Sequence, residues 1–523
     1  MKKILPLVFL SAMPAADLVA KEVKRPNIIL IMCDDLMDYG GLYGGHPQAM
    51  TPNMDRITKD GVRFSNAHSV APLSGPSRAA MFTGIYPHVS QNYKFVKWYT
   101  TPVLSNCKTF MGQLMEEGYK AYGTGKLMHD NLKSEYNEFG YGYSQGPWAY
   151  DGTTRVLHPS VPEAYAKAGG ILDGVFASLA DVPTVNGYTG WWDATEKKPF
   201  RYVNDDDRDM MGDEKIAKWA VEKLEELAKM KDGEPFYLGV GFSKPHTALV
   251  APQKYFDMYP LESIKLPDWV ENDKDDTYFE EIAGKTAGYK HFKGMQAAYG
   301  ENIREGFRKY LQAYLACVSF ADDQVGKVLD AIDKSPDAEN TIVIFTSDHG
   351  YDFGQRDHFF KNSLWSTSTQ VPFVVRMPDK KNGGEVCNYP IALTDLYPTV
   401  IDYAQIKGDN RKNDKGAKLS GHSVRTFIEN PKATSWGGSP VALSVVAAGS
   451  RSLLPQGQNY AVKGERYRYI HYVTGKEELY DCEKDPFEVH NIAGISKYAK
   501  IRKEMRRELK KLVPELDDPI PTR

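Results

Sequence analysis

The chain has 523 residues, 42% of them hydrophobic and 25% charged, which suits a globular protein with a sizeable core. Its formal net charge of -3 supplies no global basic field, so nucleic acid is not expected as a partner. Five cysteines, Cys33, Cys107, Cys317, Cys387 and Cys482, are too sparse for a disulfide scaffold, although one or two bridges stay open.

The first twenty residues read as a secretory signal. Lys2 and Lys3 give a charged start, and Ile4 to Ala16 is mostly apolar, with cleavage expected near Ala20. Pro6, Pro14 and Asp17 argue against a transmembrane helix, and no later run is long and apolar enough to span a bilayer. A secreted or periplasmic location follows.

"NIILIMCDD" (27–35) is a continuous apolar run ending in two acids, the pattern of a buried parallel strand with polar residues at its carboxyl end. "TPNMDRITKDGVRFSNAHSV" (51–70) predicts helix, glycine turn, strand. "APLSGPSRAAMFTG" (71–84) runs from a Pro-Gly turn into a short apolar helix, with Ser77 as the local structural serine and Ser74 just outside the helix, near its positive end. "FMGQLMEEGYKAYGTGK" (110–126) repeats the helix–glycine–strand pattern. Residues 214–230 have apolar residues three and four apart and predict a helix; 235–242 predicts a buried strand. A long amphipathic helix is expected over 310–334, and strands over 341–350 and 371–377. Residues 404–440 are rich in Lys, Gly, Asn and Asp and read as a long connection. After it come strand-like pieces of hairpin character and a basic helix over about 496–512.

Strands alternating with helices imply a mostly parallel α/β sheet covered on both faces, followed by a smaller α+β C-terminal subdomain. The expected division is a signal over 1–20, a catalytic domain over 21–403, and connection plus subdomain over 404–523. In such sheets the site lies beyond the carboxyl ends of the strands. The polar clusters after residues 33, 125, 242 and 346 all fall at that edge.

Asp34, Asp35, Asp348 and His349 end two of these strands. Each acid alone could merely cap a helix. Three carboxylates on one edge repel one another unless a cation sits among them, which favours a metal site. Arg78, Lys126 and Lys361, with His129 and His246, would suit an anionic tetrahedral group beside that metal.

"SGPSRAAMFTG" resembles the sulfatase signature: Cys or Ser, any residue, Pro, Ser, Arg, three variable residues, an apolar residue, Thr, Gly. The resemblance extends from "RPNIILIMCDD" through "GYKAYGTGK" and "FTSDHG" to "ELYDCEKDPFEVHNIAG". "GKLMHD", "SKPHTAL" and the twelve-residue step from His349 to Lys361 look like the iduronate-2-sulfatase type of polysaccharide sulfatases. The resemblance implies an alkaline-phosphatase-like fold. It also implies oxidation of Ser74 to formylglycine by a maturation enzyme, and one calcium ion on Asp34, Asp35, Asp348 and His349. One hydroxyl of the aldehyde hydrate would attack sulfur, and the other would later expel sulfate. Arg78 and Lys126 would orient the formylglycine, His129 would hydrogen-bond its second hydroxyl, Lys361 would bind sulfate, and His246 would protonate the leaving oxygen.

Two positions depart from common relatives. His349 stands where many have Asn, and would also suit a transition metal. Ser366 stands where many have Glu, which is expected to alter the pocket wall. On the substrate side, "NYKFVKWYT" (92–100) is expected to line the mouth, with Trp98 and Tyr99 stacking on sugar and Lys94 and Lys97 meeting anionic groups; ordinary loop packing is the alternative. His358 is placed with them. The expected substrate is a sulfated polysaccharide or oligosaccharide, a glycosaminoglycan or an algal galactan. A phosphoester or other sulfoester hydrolase of the same superfamily, and a non-catalytic sulfated-glycan-binding relative, are the rivals.

Overall fold

The computed structural model describes residues 24–38, 45–230, 233–449 and 453–520; the expected signal segment, 1–20, lies outside them. The main sheet is built from β1 (Asn27–Cys33), β2 (Val62–Phe64), β3 (Lys120–Gly125), β4 (Glu138–Gly142), β5 (Phe236–Phe242), β6 (Thr341–Ser347), β7 (Phe373–Arg376) and β8 (Val386–Cys387). Their spatial order is β8-β2-β7-β6-β1-β5-β3-β4. β1 is parallel to β5 and β6, and β3 is parallel to both β5 and β4. The strand expected over 371–377 is β7, and it runs antiparallel to β6 and β2.

β1 shows why its sequence is apolar throughout. Ile29, Ile31 and Cys33 enter one core, while Ile28, Leu30 and Met32 enter the other. Strict alternation across two covered faces leaves no place for a polar residue until the strand ends. Register then aligns the ends. Cys33 pairs with Phe242 on one side and Ser347 on the other, and Gly241 pairs with Gly125. The next residues, Asp34, Ser243, Asp348 and Lys126, emerge together at one edge. Gly125 has φ +77, and a Cβ there would stand 1.9 Å from the Gly241 carbonyl oxygen, so only glycine lets the two strand ends approach.

The long helix Ile303–Lys334 begins seven residues earlier than the periodicity predicts and buries its apolar stripe against the sheet. Asp322, buried on it, accepts from the Asn53 and Met54 amides at 3.1 and 2.7 Å, satisfying the first turn of the helix Pro52–Asp60. The C-terminal pieces form a four-stranded antiparallel sheet, Ala442–Val446, Asn459–Lys463, Tyr467–His471 and Glu477–Asp481, backed by the helix Ala499–Leu512. This sheet bonds directly to the chain leading into the signature helix: the Val445 amide donates to the Val70 carbonyl at 2.9 Å and Ser444 Oγ to Ser69 O at 2.6 Å. Ser366, expected at the pocket wall, is tied to the C-terminal subdomain. Its amide donates to Glu488 at 2.8 Å, and Arg468 holds the same carboxylate at 2.6 Å. The subdomain thereby grips the segment just after Lys361. All five cysteines are unpaired. Among the described residues no helix is long and apolar enough to cross a membrane.

One buried histidine couples the subdomain to pH. His88 donates from Nε2 to the Leu512 carbonyl at 2.9 Å, and its Nδ1 is buried without a partner. Burial pushes its pKa down to about 4, against the opposing bond to Leu512. The ordinary value is about 6.5, so between these pH values the unfolded chain binds the proton and the native chain does not. Stability is therefore full above pH about 6.5 and declines toward pH about 4, by up to about 3 kcal/mol for this group alone. A His88→Gln variant keeps a donor for Leu512 and should flatten the fall in melting temperature over that window; an unchanged slope would contradict it.

Candidate active site

The chain turns sharply after β1, with Asp35 at φ +61. That turn brings two adjacent carboxylates, which would diverge on a regular strand, into one cluster. Asp34, Asp35, Asp348 and His349 are all fully buried. The Asp35 amide donates to Asp348 Oδ1 at 3.1 Å, tying the two strand ends together.

The signature helix, Ser74–Thr83, points its amino end at this cluster. Ser74 is its first residue, preceded by Leu73 at the cap position with no side-chain capping bond, rather than lying outside it as the sequence predicts. Ser74 Oγ lies 3.0 Å from His349 Nε2 and 3.4 Å from Asp34 Oδ1. Ser77, one turn on, donates to the Asp348 carbonyl at 2.6 Å and so fixes the backbone of a neighbouring acid. Arg78 is wholly buried. Its Nη2 meets Asp34 at 2.8 Å, its Nε meets Asp348 at 3.0 Å, and its Nη1 donates to the carbonyls of Lys126 and Leu127. A planar fork of fixed donors can bridge both acids and the β3 end; an ammonium could not.

Lys126 pairs with Asp34, and Lys361 is bidentate on Asp35 at 2.7 and 2.8 Å. Burial alone would raise both acids. For Asp34, Lys126 and Arg78 outweigh it and hold the carboxyl well below the usual range; for Asp35, Lys361 and the nearby histidines outweigh it and lower the carboxyl. His246 Nε2 lies 4.0 Å from Asp35 Oδ2, while its Nδ1 faces the Thr247 carbonyl. Burial pushes His246 down to about 4, with Asp35 pulling the other way.

The donor set fits a dication. His349 Nδ1 donates to the Gly350 carbonyl at 2.9 Å, which orients Nε2 toward Asp35 and Asp348 at 3.3 and 3.6 Å, so that the ring and the carboxylates converge as ligands to one ion would. Two triads, Asp34–Asp35–His246 and Asp35–Asp348–His349, have ligand atoms close enough to share one ion. Charge also balances: three acids meet Arg78, Lys126 and Lys361. A dication would make the site positive by two, ready for an anionic ester.

The remaining predicted residues scatter. His129 is half-buried at the border of this network, its Nδ1 3.7 Å from Asp130 and its ring 4.9 Å from Phe95. Lys94 is half-buried and Lys97 is exposed. Trp98 is not a stacking platform: it is 3% exposed and its indole N–H donates to the Asp130 carbonyl at 3.1 Å, anchoring the loop. Tyr99 packs edge-on against it, partly buried against the core. Phe95, 55% exposed, is the aromatic ring that protrudes; a Cβ on Gly75 would come within 2.9 Å of it, so it overhangs the signature helix. His358 is fully buried, bonded to Asp352 at 2.9 Å and packed by Phe279, Tyr289 and Trp365. It braces the hairpin before Lys361 and touches no open space. Sequence reasoning also missed Tyr143, whose ring lies 5.3 Å from Lys126 Nζ, and Asp213, whose carboxylate accepts from the Ser243 and Lys244 amides at 2.8 Å. Neither stands in a motif.

The model of the sulfatase family matches residues 26–406, and that of the N-sulphoglucosamine sulphohydrolase C-terminal region matches 354–515. This chain belongs to the sulfatase family. This sulfatase is 31% identical to a sulfatase of Formosa agariphila over 503 residues, 95% of this chain and 88% of that one. It is 30% identical to mouse iduronate 2-sulfatase over 376 residues, covering 71% of this chain and 62% of the other. Its alkaline-phosphatase-like fold is that of solved sulfatases. Phosphonate monoester hydrolase of Agrobacterium radiobacter shares it too, with TM-score 0.70 at 20% identity over 94% of this chain and 96% of that one. The fold alone therefore does not choose the ester; family membership does, and this sulfatase is a sulfuric ester hydrolase.

Proposed function

We propose that this sulfatase removes sulfate from a sulfated polysaccharide or oligosaccharide, using a formylglycine made from Ser74 by a maturation enzyme. The observation that carries the reading is Ser74 Oγ, 3.0 Å from His349 and 3.4 Å from Asp34 at a helix amino end. His349 Nδ1 is bonded to the Gly350 backbone carbonyl and not to a carboxylate, so among the described residues no histidine–carboxylate relay backs that hydroxyl as a plain serine. An aldehyde hydrate supplies one oxygen to attack sulfur and a second whose return to carbonyl releases sulfate. Asp34, Asp35, Asp348 and His349 would hold one calcium ion, whose charge would polarise a sulfate oxygen.

The chain's own groups do the rest. Lys361 leaves Asp35 to grip sulfate oxygens. Arg78 and Lys126 keep Asp34 ionised. His129 borders the second hydroxyl. His246 has Nε2 on the Asp35 side, 4.0 Å from that carboxylate, and an anionic ester beside it would draw a proton there for the leaving oxygen, a transfer worth roughly 10²–10⁴ in rate. Lys94, Lys97 and Phe95 stand at the mouth, where further anionic sugar units would pass. A catalytic domain over 21–403, a subdomain over 404–523 and export behind a signal over 1–20 complete the reading.

The test is peptide mass spectrometry on protein from its native host, paired with desulfation of a panel of defined oligosaccharides. Loss of two hydrogens at residue 74 and release of inorganic sulfate are expected. Intact serine with no release would leave a glycan-binding relative instead.

A further inference from the structure

We propose that Asp173 and His291 form a positioning pair that sets both His246 and Lys361. The proposal rests on the sulfate-ester reading above. Asp173 ends the helix Glu163–Asp173 and is buried beside the pocket, outside the proposed metal ligands. Its Oδ1 accepts from Thr247 Oγ1 at 2.8 Å, and its Oδ2 lies 3.3 Å from His291 Nε2. Each partner is next to, or stacked on the neighbour of, a residue that faces substrate.

Thr247 follows His246 directly, and its carbonyl is the acceptor for His246 Nδ1. The same short segment is stapled again one residue later but one: the Leu249 amide donates to the Val175 carbonyl at 2.7 Å, and residues 249–251 pair with 176–178. Fixing the Thr247 side chain fixes its carbonyl, and the carbonyl fixes which ring nitrogen of His246 is left to face the ester. On the other side, the His291 ring stacks on Phe360, with centroids 4.8 Å apart and planes at 25°. Phe360 holds φ +109, a conformation that a side-chain-bearing residue adopts only under constraint, and Lys361 follows it. His291 belongs to the helix Ala287–Tyr299, whose Gly288 also lies against His358 on the same hairpin. One buried carboxylate–imidazole pair thus touches the arm carrying the proposed proton donor and the arm carrying the sulfate-binding lysine.

The two arms predict different losses. Thr247→Val removes the hydroxyl in nearly the same volume, and Asp173→Asn weakens its acceptor. Both should lower kcat/KM about 10–100-fold on a sugar sulfate, whose alkoxide needs a proton to leave. On 4-nitrophenyl sulfate, whose leaving group departs without one, the loss in Thr247→Val should stay under about 3-fold, whereas Asp173→Asn, which also weakens the contact to His291, should raise KM there. Thr247→Ser keeps the hydroxyl and should hold both esters within about 3-fold of wild type. His291→Leu loosens Lys361 and should raise KM for both esters alike. Should Asp173→Asn fail to fold, judged by its melting temperature, the Thr247 pair carries the test. Equal losses on the two esters in Thr247→Val, or no loss on either, overturn the proposal while the sulfate-ester reading stands. A wild-type protein with the aldehyde in place that cleaves neither ester overturns that reading, and this one with it.

Discussion

Replacing Ser74 with alanine is expected to abolish sulfate release, by about 10⁴–10⁶-fold, the scale on which removal of a covalent nucleophile acts. Ser77, the other hydroxyl at the start of the signature helix, is not free to take over. Ser77 is committed to the Asp348 carbonyl and to Ser69, at 2.6 and 3.0 Å. The fold should survive. Among the described residues Ser74 Oγ is bonded to His349 and Asp34, and the helix is held by Ser77, Arg78 and its left-handed terminal Gly84. The melting temperature should therefore move by no more than about 2 °C, as for a substitution that opens no large cavity. Sulfate release within tenfold of wild type would remove Ser74 from the chemistry.

Arg78→Met should cost both activity and fold. Its guanidinium meets Asp34 and Asp348, and all three side chains are fully buried. Removing one partner of such a network leaves uncompensated buried charge, worth about 3–5 kcal/mol. Arg78→Lys should rescue little, because one ammonium cannot reach two acids and the Lys126 and Leu127 carbonyls together. The lost positive charge also gives a check on the metal site. Calcium should raise the melting temperature of Arg78→Met more than that of wild type, since the freed acids have most to gain from an ion. A variant within about 1 kcal/mol of wild type by urea denaturation would show that the network is not what holds these strand ends together.

The strand-end residues were the most legible part of this site. Apolar runs that stop at Asp34 and Asp348 can only be buried strands, and parallel strands put their carboxyl ends at one edge. The pairing register, Cys33 with Phe242 and Ser347, makes that inference good. The signature stretch was equally plain, although it hid that Ser74 opens the helix and that Arg78 spans both acids.

The loops were not legible, and the reason is physical. Whether an aromatic residue or histidine faces substrate or core depends on what the rest of the chain lays over it. Trp98 and His358 are covered by packing from residues 32 and 79 positions away, Asp130 and Phe279, while Phe95 is left in the open. Asp173 and His291 carry no motif, and they meet Thr247, the residue after His246 in "SKPHTAL", because a helix, a strand-end loop and a second helix converge. The sequence alone determined the sheet, its chemical edge and the family, because periodicity and a contiguous signature are local properties of the chain. Tertiary structure decided which side chains are buried, which acids are paired and which supports stand behind the reacting groups, because burial and long-range pairing exist only once distant segments are packed together.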